Sequence, residues 1–269
     1  MSTIIRVAVC GAAGRMGREV VRALARDDGL RVVGAVDPHG LGADAGVLAG
    51  LDPLGVTVSG DLEEVLRETK PEVMVDFTSP TVVASNARTA IRAGVHPVIG
   101  TTGMSNEDLA DLRRLCAETG VGGFVAPNFA VGAVLMMKFA EMAAKFMPAV
   151  EIIELHHDQK ADAPSGTAIK TAEMISNARG EYRQPSVTKV LKLDGVRGGN
   201  YDGGIRIHSV RLPGLVAHQE VIFGGLGQTL SIRHDSISRE SFMPGVLLAV
   251  RRVIGLREMV VGLENLIFE

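Results

Sequence analysis

His156, His157 and Lys160 fall within five residues of one another, and a small-residue turn, Ala163-Pro-Ser-Gly-Thr-Ala168, follows directly. Imidazoles move protons near neutral pH. A lysine supplies a compact positive charge. The amides of a Ser-Gly-Thr turn opening a helix can hold an anion. The combination points to a pocket for an anionic small molecule that undergoes proton transfer. In an extended strand His156 and His157 point to opposite faces, so both reach one pocket only if the strand ends or bulges between them. The competing reading makes one of them a packed, hydrogen-bonded core histidine. Asp158 and Asp162 read as solvated loop carboxylates rather than acid/base groups. A zinc site from His156, His157 and Asp162 is disfavoured because adjacent histidines rarely converge on one ion, so no metal is expected. Ser165 and Thr167 either cap the helix or bind a ligand carboxylate, and one arrangement does both, since capping leaves neighbouring amides facing an anion. Ser165 as a nucleophile is disfavoured, because no G-x-S-x-G elbow surrounds it.

A second constellation opens the chain. Gly11-Ala12-Ala13-Gly14-Arg15-Met16-Gly17 lies between an apolar run, Ile4 to Cys10, and a helical run, Glu19 to Arg26. The glycines recur every third residue, unlike the usual G-x-G-x-x-G order, but the physical needs are alike. Gly11 allows the tight turn, Gly14 lets the backbone approach a pyrophosphate, and Gly17 lets the helix pack close to the strand. A second strand, Leu30 to Val36, ends at Asp37, where an acidic residue is expected on the adenosine ribose. A glycine turn alone is a weak signal, whereas strand, turn, helix, strand and acid in that order is a strong one. Asp37 repels a 2′-phosphate and Pro38-His39-Gly40 brings no arginine, which favours NADH over NADPH. His39 reads either as a solvated loop residue or as a phosphate acceptor.

These residues need a frame. Gly40 to Gly60 has weak periodicity and reads as a loop. Asp61 caps a short helix to Thr69, Glu72 to Phe77 is a buried strand, and Thr81 to Ala93 is a helix ended by Gly94. His96 to Ile99 is a strand entering Gly100-Thr101-Thr102-Gly103. Ser105 with Asp108 forms a capping box for a helix to about Thr119. Gly122 to Ala126 is a strand entering Pro127-Asn128-Phe129. The alternation predicts a parallel sheet with helices on both faces, with ligands beyond the carboxyl ends of the strands. Gly100-Thr101-Thr102 and Ala126-Pro127-Asn128-Phe129 are then candidates for the nicotinamide half of a cofactor, the other reading being ordinary turn chemistry. After a helix from Val131 to Met147 the pattern changes. Val150 to His157 is a strand and Thr167 to Ala178 a helix. From Val187 onward come alternating segments at Lys189 to Leu193, Ile205 to Leu212, Gln219 to Phe223 and Thr229 to Arg233. They suggest an antiparallel sheet with one covered face, the other available to a partner subunit. Arg239 to Ile254 is a helix, and the apolar tail Val260 to Phe268 packs back on a core.

Composition excludes several classes. Net charge is -3 without a long basic run, which argues against a nucleic-acid surface. Cys10 and Cys116 lack metal-ligand spacing and argue for a reducing compartment. The longest apolar stretch, Phe129 to Met147, carries Lys138, Glu141 and Lys145 on one helical face, so it is an amphipathic helix and not a membrane span. Met1 to Cys10 lacks the layout of a signal peptide. A soluble cytoplasmic protein is expected.

The runs Gly11 to Gly17, Gly100-Thr-Thr-Gly103, Ala126-Pro-Asn-Phe129 and Glu154-Leu-His-His157 through Asp162-Ala-Pro-Ser-Gly-Thr-Ala168 resemble the dihydrodipicolinate reductase family, whose members reduce 4-hydroxy-tetrahydrodipicolinate. The similarity runs along nearly the whole chain, and the Glu-x-His-His-x-x-Lys-x-Asp-Ala-Pro-Ser-Gly-Thr block is highly specific. The resemblance implies an α/β enzyme of lysine/diaminopimelate biosynthesis using NADH or NADPH. It implies a Rossmann-type doubly wound parallel sheet over residues 1–129 and 241–269. An inserted α+β substrate-binding domain, 130–240, would carry a mostly antiparallel sheet that builds a homotetramer. It places the pyrophosphate on Gly11 to Met16, the ribose on Asp37, and the rest of the cofactor on Gly100 to Thr102 and Ala126 to Phe129. It makes His156 the proton donor or acceptor and Lys160 a second proton-donating group, with His157, Gly166 and Thr167 on the substrate carboxylates. Where many members have Gly-Asp-x-Val-Gly-Glu-His, this chain has Leu212-Pro-Gly-Leu-Val-Ala-His-Gln-Glu220. Other readings are an aspartate- or homoserine-type dehydrogenase, which need not have the His-His-Lys loop, and a nucleotide-sensing protein without chemistry, expected to lack His156 or Lys160.

Overall fold

The computed structural model describes residues 4–185 and 188–268. The chain divides into two compact units, one of Met1–Phe129 with Phe242–Glu269 and one of Ala130–Ser241.

The first unit alternates strand and helix. Its strands and helices are β1 (Ile5–Cys10), α1 (Arg15–Ala25), β2 (Leu30–Val36), α2 (Ala45–Leu48), β3 (Val58–Ser59), α3 (Leu62–Thr69), β4 (Val73–Asp76), α4 (Val83–Arg92), β5 (His96–Ile99), α5 (Asn106–Thr119) and β6 (Gly123–Val125). The second unit follows with α6 (Val131–Ala144), β7 (Ala149–His156), α7 (Gly166–Ala178), β8 (Gly199–Asn200), β9 (Arg206–Arg211), β10 (Ala217–Gly225) and β11 (Gln228–Ser236). The chain then returns to the first unit with α8 (Met243–Val253), β12 (Met259–Val261) and α9 (Glu264–Ile267).

The seven-stranded sheet has the order β12-β6-β5-β4-β1-β2-β3, and its strand pairs are parallel. Parallel strands covered on both faces need apolar residues on both faces. Accordingly Val7, Ala8, Val9 and Cys10, and Val73 to Asp76, are all buried. Helix α1 turns Gly17, Val20, Val21 and Leu24 inward at helical spacing. The order reverses between β1 and β4, the place where such sheets open a ligand crevice. Cys10 and Cys116 are free thiols buried in different apolar clusters, so they cannot pair.

The second unit carries a five-stranded sheet, β11-β10-β7-β9-β8. It is antiparallel except for β7 and β9, which run parallel. Val150, Ile152, Val221 and Phe223 are buried on one face, which α6 and α7 cover. The other face, with Glu151, Ile153, Leu155, Glu220 and Ile222, is only partly buried.

Several sequence expectations need correction. Lys189 to Leu193 forms no strand. Val187, taken as the start of the alternating segments, lies outside the described residues. Gly40 to Gly60 is not featureless. It holds α2 and β3, ordered by Asp44, whose carboxylate accepts from the amides of Gly46, Val47, Leu54, Gly55 and Val56. Arg239 to Phe242 is a 3₁₀ turn leading into α8. The apolar tail contributes a sheet strand, β12, paired with β6.

Candidate active site

The glycine turn sits at the strand-order reversal. Gly11 adopts φ +80°, and a Cβ there would meet the Phe77 carbonyl at 2.4 Å. A Cβ on Gly17 would lie 1.9 Å from the Gly11 carbonyl oxygen, so helix and turn touch through bare backbone. Gly14 is the N-cap of α1 and offers no side-chain acceptor, so the first amides of α1 keep no capping partner. Asp37 is buried and accepts from the Ala13 amide at 3.0 Å and the His39 amide at 2.8 Å. That fixes its carboxylate against the turn. The His39 side chain is exposed. An uncapped helix start on a glycine turn, with a carboxylate beside it, fits a dinucleotide pyrophosphate and ribose. Arg15 is exposed at this helix start, and Met16 is half-buried.

The other two loops of this unit hold differently. Thr101 is buried, its hydroxyl donating to Asp76 at 2.8 Å, while Thr102 is exposed. Asp76 also accepts from Thr78 and Asn86. Gly100 is needed because a Cβ would enter the Phe77 ring at 2.1 Å. Ala126 and Phe129 are buried. The Phe129 ring packs with Phe77 and Phe124, each at 5.8 Å between centroids, so its side chain belongs to the core and any ligand contact falls to backbone. Pro127 and Asn128 lie in the turn between Ala126 and Phe129, Pro127 exposed and Asn128 half-buried.

In the second unit β7 ends at His156, so His157 already belongs to the loop and is exposed. This meets the geometric condition that two adjacent histidines impose. Residues two apart on a strand share a face, and His156 therefore meets Glu154, with Nδ1 and Oε2 2.5 Å apart. Glu154 has no exposed surface. Arg211, in register with His156 across the β7–β9 pair, grips the same carboxylate with Nη1 at 2.8 Å and Nη2 at 2.7 Å. The Ser165 amide donates to it at 3.2 Å. Burial pushes the Glu154 carboxyl up, but hydrogen bonds from Arg211, Ser209 and His156 outweigh it and hold the group below the usual carboxylate range. For His156 burial dominates and lowers its pKa, with Lys160 and Arg211 acting the same way against Glu154.

Lys160 is tied to Asp162 at 2.7 Å, and its amide closes a turn on the His157 carbonyl. Asp162 is 62% exposed and Asp158 is exposed, as solvated loop carboxylates are. The Ser165 hydroxyl caps α7 by accepting from the Ala168 amide at 3.2 Å. Gly166 is exposed and Thr167 half-buried at the helix start, with amides that the cap leaves open. The loop thus brings together an imidazole held by a carboxylate, a lysine and a helix start with open amides. Sequence reasoning passed over Glu154 as an anchor and missed Arg211. The i, i+2 spacing of Glu154 and His156 was the available signal for the first. Among the described residues, no group of three or more His, Cys, Asp or Glu is arranged to hold a metal ion. Likewise no described helix is long and apolar enough to cross a membrane.

A glycine turn at the order reversal of a parallel sheet is the dinucleotide-binding arrangement of a Rossmann-type oxidoreductase of the nicotinamide-dependent class. Residues 5–129 match the family model for the dihydrodipicolinate reductase N-terminus and residues 132–267 that for its C-terminus. The chain belongs to the dihydrodipicolinate reductase family. It is 56% identical over 262 residues to a 4-hydroxy-tetrahydrodipicolinate reductase of Desulfitobacterium hafniense, covering 97% of this chain and 98% of that one. A Moorella thermoacetica protein of the same name is 55% identical over 267 residues, covering 99% of each chain. Among solved structures, dipicolinate-bound dihydrodipicolinate reductase from Paenisporosarcina sp. TG-14 superposes with a TM-score of 0.87 at 46% identity, covering 98% of this chain and 99% of that chain.

Proposed function

We propose that this protein reduces 4-hydroxy-tetrahydrodipicolinate, by way of dihydrodipicolinate, to tetrahydrodipicolinate in lysine/diaminopimelate biosynthesis. The observation that carries the reading is His156 bound to buried Glu154 beside Lys160 and the open start of α7. The substrate is a small dicarboxylate, and a relative of this fold is described as dipicolinate-bound.

When bound, a reduced nicotinamide would supply the hydride for the conjugated cyclic imine that is left once the hydroxyl departs as water, and one proton completes the reduction. The chain's own residues do the rest. The Gly166 and Thr167 amides, with His157 and Ser165, receive the carboxylates. Lys160 adds fixed positive potential as negative charge develops towards the ring nitrogen, an effect strongest in a preorganised site, and serves as the second proton-donating group. His156 gives the proton from Nε2, its Nδ1 being held by Glu154. Gly11 to Met16 hold the pyrophosphate, and Asp37 holds the ribose. Gly100 to Thr102 and Ala126 to Phe129 border the cofactor. Asp37, followed by Pro38-His39-Gly40 and not by an arginine, supports NADH over NADPH. Residues 1–129 and 241–269 serve as the dinucleotide-binding domain, and residues 130–240 as the domain for substrate and oligomerisation. The half-exposed face of the five-stranded sheet supports a homotetramer, and the same reading places the enzyme in the cytoplasm.

The test is a coupled assay with the product of dihydrodipicolinate synthase. Reduced cofactor should be consumed only when that product is present, faster with NADH than with NADPH. No consumption with either cofactor refutes the activity. A clear preference for NADPH overturns the cofactor reading alone.

A further inference from the structure

We propose that Glu154 and Arg211 form a positioning pair that fixes the tautomer of His156, so that its exchangeable proton is carried on Nε2. The inference rests on His156 being the proton-transferring group of the reading above.

A buried carboxylate is tolerated only when its lone pairs are filled. Here they receive the two Arg211 nitrogens, the Ser165 amide, Ser209 and His156. Two parallel N–H bonds from one guanidinium make the strongest carboxylate clamp available to a side chain. Held ionised, Glu154 can only accept, so Nδ1 of His156 must carry the hydrogen. The ring's other nitrogen is then a lone pair in the neutral form and an N–H in the imidazolium.

Few other charges face the imidazole. Lys160 from the loop and Arg211 from β9 oppose its protonation. Asp162 is taken by Lys160. On β10 the register partner is Ala217, and neighbouring His218 is bonded to Asp235. Ser165, the uncharged cap of α7, is bonded through its amide to the Glu154 carboxylate. Among the described residues Glu154 is therefore the one anion bonded to His156, and it also holds, through the Ser165 amide, the turn offered to substrate. One carboxylate aligns proton donor and anion cradle.

The test is ¹⁵N-histidine NMR on the ligand-free protein, with steady-state kinetics alongside. Wild-type His156 is expected as the Nδ1–H tautomer. In Glu154→Gln the tautomer population should move towards Nε2–H and the titration midpoint should fall. Its kcat should drop about 10²-fold or more, the scale of an acid/base contribution, with KM for NADH unchanged. Arg211→Lys retains the carboxylate charge and should keep the Nδ1–H tautomer with a smaller loss of kcat. An Nε2–H tautomer in the wild-type protein overturns the proposal without any variant. So does a Glu154→Gln protein whose His156 titrates as wild type. Because the NMR needs no substrate, a protein showing the tautomer but no reduction would refute the proposed reaction and leave the pairing intact.

Discussion

Glu154 and His156 stand two residues apart on β7, and the 2.5 Å contact between Oε2 and Nδ1 makes a fully buried carboxylate the anchor of an imidazole at the strand's last position. The strand stops there, so the ring is held by Glu154 while His157 and Lys160 belong to the following loop.

This anchoring sets the pH behaviour of His156. Burial is the largest influence and lowers its pKa, with Lys160 and Arg211 adding to it. The unfolded chain, where histidine titrates near about 6.5, holds the proton to higher pH. The group therefore weakens the fold as pH falls from that value through the lower folded one. A bound dianion acts oppositely, favouring the imidazolium. NMR titration should find His156 below the ordinary histidine value without ligand and raised by dipicolinate. A midpoint unmoved by dipicolinate would separate His156 from the anion site.

Lys160 is held by a carboxylate that is itself mostly in water. Such pairs contribute about 0–1 kcal/mol. Asp162→Asn should leave thermal stability nearly unchanged while releasing the lysine for substrate, so KM for the dicarboxylate should fall. A rise in KM would mean that Asp162 orients Lys160 productively.

Gly17 has no room for a methyl group, since its Cβ would sit 1.9 Å from the Gly11 carbonyl oxygen. Gly17→Ala must push α1 off the turn. Overpacking of this kind costs roughly 1–3 kcal/mol, readable as a lower denaturation midpoint. Binding of NADH should weaken as well, because the same turn carries the helix start. Tight NADH binding by this variant would remove the turn from the cofactor site.

Asp44 orders a loop through five backbone amides. Desolvation raises its pKa, but the amide bonds outweigh that and lower it overall. Its stabilisation is complete above the unfolded value near about 3.9 and is lost as pH falls through the lower folded value. Asp44→Asn places an amino group against the Gly55 and Val56 amides. Loss of a capping carboxylate costs about 1 kcal/mol, so urea melts at pH 7 should separate the two proteins, and the gap should close in acid. A gap that persists unchanged would point to packing instead of charge.

What was legible in the sequence was local. The glycine spacing, the caps Asp61, Ser105 and Ser165 and the apolar strands each declare themselves within a few residues, and the structure places them so. What was not legible depends on distant partners. Arg211 reaches Glu154 across 57 residues and a parallel crossover that no periodicity announces. The Gly40 to Gly60 segment looked irregular because its order comes from one carboxylate gathering amides ten to twelve residues away. Lys189 to Leu193 alternates like a strand, yet no ladder forms there, since alternation reports a half-covered surface only where a neighbouring strand exists. Phe129 sat in a strand-end motif, but its ring fills the core beside Phe77 and Phe124.

The most direct test of the central claim compares the wild-type enzyme with His156→Ala and Lys160→Ala in the coupled assay, with NADH binding measured in parallel. The account predicts turnover of the dihydrodipicolinate synthase product by the wild type. Each variant should lose about 10² to 10⁴-fold in kcat while binding NADH as before. Wild-type turnover in either variant would contradict it.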